Sequence, residues 1–521
     1  MRRTIATAKS FAARVHISHQ GCPRLGPQLA DALQLQWRHG FPTMPRGMDG
    51  YTSGFHPLLA GMNPAVARAL LPLLGLGRGQ RVLDPFVGSG TVLVEAAAAG
   101  LEGLGVDISP LAAFIATHHA WTEGTAADRL FLVSSARVVA DRVATSASAL
   151  PNAAQPNAAQ EAAQPGEGGP WCGPGGVDSL RNWGPVAHAL HGASAELPEA
   201  HVLRLWFCYS AAVARGAGGH KSKLVRSPSA AATAFVGAVE EYTQRAERLS
   251  AACAAAGDLG PYHGPGGGTG EGLSRRGGSV SVVPRVVLGD ARSALARDAG
   301  GLFDGLLTSP PYPGVYDYVA HAREHRERLT RHANTHGAAM AQVPIAPLRD
   351  GAAESARAAF LTTNVPAKGS REWGPLFDSR GEVGSHKAAK RLLRPNPHSS
   401  SSSSSSADGK GGALAAAWAA EETAWMSSAG AVLRPGALAV LLVGDGVDDS
   451  VDGLAAAAAS AASTSLFEVV ASASIRSASS SHRGAGARGG ARDEARDAGK
   501  DAPGPPPGNR RAEHFVMLRR V

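Results

Sequence analysis

At 521 residues, with 51 Lys and Arg against 43 Asp and Glu, the chain has room for two or three domains and carries a formal charge of +8. That balance suits an anionic partner such as nucleic acid but is too weak to require one. Gly (64) and Pro (34) are abundant and aromatics reach only 5%, which excludes a chain folded throughout and predicts one core broken by disordered insertions. Cys22, Cys172, Cys208 and Cys253 form no CxxC pair, so neither a zinc site nor a disulfide framework is expected, and free thiols in a reducing compartment are. No apolar run approaches the roughly 20 residues that a membrane span needs, and a soluble intracellular protein is expected.

Taken in chain order, residues 1–45 read as a basic N-terminal extension. Arg2, Arg3, Lys9, Arg14 and Arg24 precede the first acidic residue, Asp31. An organellar transit peptide and a disordered basic tail both fit, leaving a chloroplast, a mitochondrion or the nucleus open as compartments. Residues 46–144 follow as a first half of the core, with short strands at 80–85 and 103–108 flanking an Ala-rich helix at 92–99. A Pro/Ala/Gln repeat at 151–170 marks 145–198 as a low-complexity insertion. Residues 199–252 form a helical part of the core, with Phe235, Val239 and Tyr242 near helical spacing. A Gly-rich insertion, 253–280, precedes a second half of the core at 281–394, which contains apolar runs at 284–291 and 301–310.

The serine tract Ser399–Ser406 sits in a further insertion, 395–412. The end of the core, 413–521, holds a helix at 413–433 and a strand at 436–445. A final hairpin of 466–475 and 513–521 is interrupted by a disordered insertion at 477–511. Apolar strands without polar alternation, separated by helices, predict an α/β fold: a doubly wound, Rossmann-like sheet, mostly parallel, with an antiparallel C-terminal hairpin.

Two stretches carry chemistry. The first, "DPFVGSGT" at 84–91, lies at a strand end, where ligands of such sheets bind. Gly88 and Gly90 let the backbone approach a ligand, while Asp84 would repel a pyrophosphate and favour a cation. About twenty residues on, Asp107 can accept both hydroxyls of a ribose. A positively charged adenosyl ligand, S-adenosyl-L-methionine, satisfies all three features.

The second stretch is "TSPPYPGVYDY" at 308–318, a rigid loop after a buried strand. An exocyclic amine is a poor nucleophile because its lone pair is delocalised into the ring. Ser309 and the carbonyl of Pro310 can accept its two hydrogens, and Pro311 stiffens the turn. Tyr312 can stack on a planar base drawn out of its helix. Positioning and electrostatics would then carry an in-line methyl transfer, without metal or covalent intermediate.

With these motifs the chain resembles the DNA amino-methyltransferases, a branch of the class I S-adenosylmethionine-dependent methyltransferases. The resemblance implies catalytic roles for Ser309, Pro310, Pro311 and Tyr312. It implies cofactor contacts for Asp84, Phe86, Gly88, Gly90, Thr91 and Asp107, for Asp290 at the adenine ring, and for His56 in the segment against the methionine part. Ser as the first motif residue leans toward cytosine N4, so site-specific DNA cytosine-N4 methylation is expected, with DNA rather than RNA as partner. RNA guanine-N2 methylation is the main alternative; protein glutamine methylation and a non-catalytic nucleic-acid binder stay open.

No target recognition domain is identifiable in the sequence. A basic helix at 315–332 and a basic run at 378–394 could meet phosphates or simply face solvent, with Asp317 and Tyr318 as supporting groups. His321 and His325 lie one turn apart without an acidic third ligand, and no metal site is expected there.

Overall fold

The computed structural model describes residues 15–39, 50–57, 62–149, 182–217, 225, 227–258, 283–295, 300–312, 408–446, 451–477 and 512–521. Outside them lie the repeat at 151–170, the serine tract, both basic runs, Asp317, Tyr318, His321 and His325, and the insertion within the final hairpin.

An eight-stranded sheet organises the chain. Its strands are β1 (Val15–Gly21), β2 (Arg81–Asp84), β3 (Glu102–Asp107), β4 (Arg285–Leu288), β5 (Phe303–Thr308), β6 (Leu433–Gly444), β7 (Phe467–Ser477) and β8 (Glu513–Arg520), in the spatial order β1-β7-β8-β6-β5-β2-β3-β4. The pairs among β4, β3, β2, β5 and β6 are parallel. β8 runs antiparallel to β6 and β7, and β1 antiparallel to β7. This is the expected α/β sheet with its antiparallel hairpin.

Both faces are apolar because successive side chains alternate sides. Val440 and Leu442 of β6 join Phe515 and Met517 of β8 on one face, covered by α1 (Leu25–His39) and α2 (Pro64–Leu70). Leu441 and Val443 join Val516 and Leu518 on the other, covered by α9 (Asp408–Val432) and α10 (Gly453–Ser463). Helix α3 (Thr91–Ala98) follows β2 and is buried nearly throughout.

A separate helical layer leaves the sheet after β3: α4 (Pro110–His119), α5 (Ala126–Ala149), α6 (Gly184–Ser194), α7 (Glu199–Ala217) and α8 (Pro228–Asp258). Its core is aromatic, with Phe55, Phe207 and Tyr242 in mutual ring contact at 5.2–5.4 Å.

Two assignments change most, while α5, α8 and α9 each run a few residues into a stretch assigned to an insertion. Residues 15–39 are not extension but core: β1 pairs residue for residue with β7, Val15 opposite Ser477, and α1 buries Leu29 and Leu33 one turn apart. Helix α6 lies inside the stretch assigned to a low-complexity insertion, because Trp183, Val186 and Leu190 repeat at helical spacing and are fully buried. Among the described residues no helix is long and apolar enough to cross a membrane.

Candidate active site

The two motif stretches meet at the carboxyl edge of the sheet, since β2 and β5 are parallel neighbours. Asp84 ends β2 and is buried; the Thr308 hydroxyl at the end of β5 donates to its Oδ1 at 2.6 Å, and the Phe86 amide donates to the same oxygen at 3.2 Å. One hydrogen bond therefore ties the glycine turn to the strand that carries the Pro-Pro-Tyr loop. Burial pushes the Asp84 carboxyl up to about 7, against the pull of Thr308 and Phe86.

The turn itself is held from three sides. Asp107 accepts from the Gly88 amide at 2.9 Å and the Ser109 amide at 2.8 Å. Burial nonetheless raises it to about 6. Gly90 sits at φ +82°, and a Cβ there would come within 2.9 Å of the Ala116 backbone, so α4 closes against the turn only because the residue is glycine. Thr91, buried, opens α3, with its hydroxyl 3.3 Å from that of Ser89.

The third support is His119. Its Nε2 accepts from the His56 amide at 3.1 Å, so its Nδ1 carries the proton, which it donates to the Ser89 carbonyl at 2.7 Å. Burial drives its pKa down to about 4, keeping the ring neutral. Sequence reasoning missed this residue; the His118–His119 pair at the end of an apolar helix was the available signal.

His56 was expected at the cofactor, and the structure places its ring inside the helical layer. Its ring is fully buried beside Phe207, centroids 5.9 Å apart, with Nε2 2.9 Å from the Ser210 hydroxyl. Only its backbone reaches the turn, through His119. Asp290, expected at the adenine ring, follows β4, but its carboxylate is clamped by Arg292, whose Nη2 and Nε donate at 2.6–3.0 Å while the Arg292 amide donates at 2.9 Å.

Ser309 and Pro311 are half-buried and Pro310 buried, directly after β5. Trp418 of α9 donates from Nε1 to the Pro311 carbonyl at 3.2 Å. The Tyr312 ring packs on the end of β6, where a Cβ on Gly444 would come within 2.5 Å of it. Its hydroxyl lies 3.5 Å from Glu513 Oε1, at the outer limit of a hydrogen bond. Glu513 is buried and raised to about 7 by that burial.

The donor set fits a cationic adenosyl ligand. Buried Asp84 and half-buried Asp107 stand at the turn, where their carboxylates would repel a pyrophosphate. A second acidic group, Asp445, Asp452 and His514, has ligand atoms within 4.8 Å of one another. Its members are already engaged: His514 bridges Asp445 at 3.0 Å and Ser474 at 2.7 Å, and Asp452 caps α10. Those bonds account for it as an anchor of the sheet edge.

Comparison with known proteins bears on the cofactor side. Residues 50–114 match the model of UPF0020, an RMKL-like methyltransferase domain. A tRNA (guanine(10)-N2)-dimethyltransferase of Methanothermobacter thermautotrophicus is 43% identical over 54 residues, 10% of this chain and 16% of that protein. The chain thus matches well under two thirds of that relative's length, and no solved structure matches. These findings correct the expectation of DNA cytosine-N4 methylation: the turn-bearing segment matches a methyltransferase-domain family that is not the DNA branch, and the curated protein similar to this chain over 54 residues is a tRNA guanine-N2 enzyme. What they support is the coarser reading, an amine methyltransferase whose methyl donor is S-adenosylmethionine.

Proposed function

We propose that the protein methylates the exocyclic N2 amine of guanine in RNA, tRNA being the first candidate, using S-adenosylmethionine. The observation that carries the methyltransferase part of this reading is the joining of the turn, inside the stretch that matches a methyltransferase domain, to the Pro-Pro-Tyr loop through the 2.6 Å Thr308–Asp84 hydrogen bond, and the 54-residue similarity to a tRNA guanine-N2 enzyme favours guanine as the base. Donor and acceptor sites then share one sheet edge.

The cofactor supplies an electrophilic methyl on a sulfonium. In this reading Asp84 and Asp107 hold the cationic and ribose parts. Ser309 and the Pro310 carbonyl accept the two amino hydrogens, which directs the nitrogen lone pair at the methyl, and Tyr312 stacks on the base. A bound sulfonium would give up its methyl to the amine nitrogen and keep the S–C electron pair, and the Ser309 hydroxyl would pass the proton that the amine loses to solvent.

The test is nucleoside mass spectrometry after incubation with labelled S-adenosylmethionine and either transfer RNA or genomic DNA, with the Ser309→Ala, Tyr312→Ala double variant as control. Labelled N2-methylguanosine from RNA, absent with the variant, is expected. Label confined to DNA or to protein would overturn the reading.

A further inference from the structure

The short segment 50–56 lies between the glycine turn and the helical layer, and its backbone is held where it would not rest by itself. Tyr51 sits at φ +46°, a region that a bulky side chain seldom adopts, and among the described residues only Ser465 is another non-glycine with positive φ. Two tight turns follow, closed by the Ser53 amide on the Gly50 carbonyl at 2.7 Å and the Phe55 amide on the Thr52 carbonyl at 3.0 Å. Strained backbone persists only where its surroundings over-determine it.

Two arginines of the helical layer supply that hold. Arg215 of α7 donates from Nε to the Phe55 carbonyl at 2.9 Å, its Nη2 donates to the same oxygen, and its guanidinium lies 4.3 Å from the centre of the Phe55 ring. Arg245 of α8 reaches the carbonyls of Tyr51 and Ser53 at 3.3 and 3.4 Å. Glu241, one turn before Arg245, meets both guanidiniums at 2.6 Å and so fixes them to one another. The segment in turn grips the end of α4. The Thr52 hydroxyl donates to the His119 carbonyl, and the His56 amide donates to His119 Nε2.

His119 acts on a peptide that has a choice. The Ser89 carbonyl and the Gly90 amide share one plane and turn together, and glycine at 90 tolerates either orientation. Donation from His119 Nδ1 to the Ser89 carbonyl selects the one in which the Gly90 amide closes the turn on the Val87 carbonyl at 2.7 Å. Burial keeps the His119 ring neutral, and the positive charges of Arg245 and Arg215 add to that effect. We propose that Arg215 and Arg245 are positioning residues of the cofactor site: by holding the carbonyls of Tyr51, Ser53 and Phe55 they keep the His56 amide on His119, and His119 in the tautomer that orients the Ser89–Gly90 peptide. The inference rests on the proposed methyltransferase reading and deepens it, giving the helical layer a part in cofactor binding.

Calorimetric titration of the full chain with S-adenosylhomocysteine tests this without turnover. Replacing both Arg215 and Arg245 by Gln should weaken binding about tenfold, and either alone about threefold, within the range that coupled networks show. The single variants carry the test if the double variant does not fold. Arg142→Gln, which cuts the exposed pair with Glu196 in the same layer, should bind as the wild type does. A double-mutant cycle with His119→Asn separates positioning from general support, because the Asn amide can donate to the Ser89 carbonyl but offers the His56 amide no acceptor in place of Nε2. In that background the arginine substitutions should cost less than about twofold further. Full additivity in the cycle would overturn the assignment, as would wild-type affinity in the arginine variants or an equal loss with Arg142→Gln. Any of these, with a wild-type chain that binds S-adenosylhomocysteine, would remove this inference alone. A wild-type chain that bound none would remove the methyltransferase reading and this inference with it.

Discussion

The turn at 84–91 and the loop at 309–312 sit on neighbouring strands, yet they are held in different ways. Asp107, His119 and the Ala116 backbone enclose the turn, and all three come from the 35 residues that follow it, while the Thr308 hydrogen bond to Asp84 reaches it from β5. The loop hangs from residues far along the chain, Trp418 on α9, Gly444 on β6 and Glu513 on β8. A site for an invariant cofactor can be built mostly from local residues. A site for a substrate takes its shape from elements that converge only when the sheet is complete.

The sharpest way to break the turn is Gly90→Val. It forces a β-branched residue into the left-handed region and drives its Cβ into the Ala116 backbone, and together these should cost about 3 kcal/mol or more. Thermal unfolding should show a fall of many degrees, and an unaltered midpoint would mean α4 can retreat from the turn. A smaller, crossed pair of effects should separate the two regions. Tyr312→Ala should lower turnover about 100-fold, or ~2.7 kcal/mol, while leaving cofactor affinity near wild type. Asp107→Ala should weaken cofactor binding about tenfold. Equal losses of turnover and binding in both variants would erase the distinction.

The smallest effect concerns pH. Asp84 is raised to about 7 by burial, so ionising it costs the folded chain. Its contribution to stability is complete below the unfolded pKa near 4 and is lost as pH rises through about 7. A cationic ligand has the opposite preference and binds the ionised form. Cofactor affinity should therefore rise by up to about tenfold from pH 6 to pH 8, as the ionised fraction grows, and Asp84→Asn should flatten the profile. A flat wild-type profile would place the positive charge away from Asp84.

Much of this was legible in the sequence where periodicity or composition was strong. β2, β3, β5 and β6 are apolar runs with Gly or Pro at their ends, and the two motif stretches lie where strand ends bring them. β1 escaped because "VHISHQG" alternates apolar and polar residues inside a basic stretch, so its charge outweighed its period of two. α6 escaped because a compositionally biased neighbourhood hid a short buried stripe. His119 escaped for another reason: it is a polar residue on an apolar helix face, and only packing shows what meets it. The packing of the His56 ring into the helical layer was not legible because a motif gives a backbone position and does not say which way the ring turns.

The placement of β8 has a consequence for how the molecule comes together. Residues 513–520 lie between β6 and β7, and β7 in turn supports β1, where Val15 finds Ser477. Three of the eight strands, β1, β7 and β8 with its Glu513 beneath Tyr312, therefore join the parallel part only when the last strand in the chain order docks. Until that strand docks, β6 and β7 offer unpaired edges to any other extended segment, the condition under which non-local β-structure folds slowly and associates wrongly.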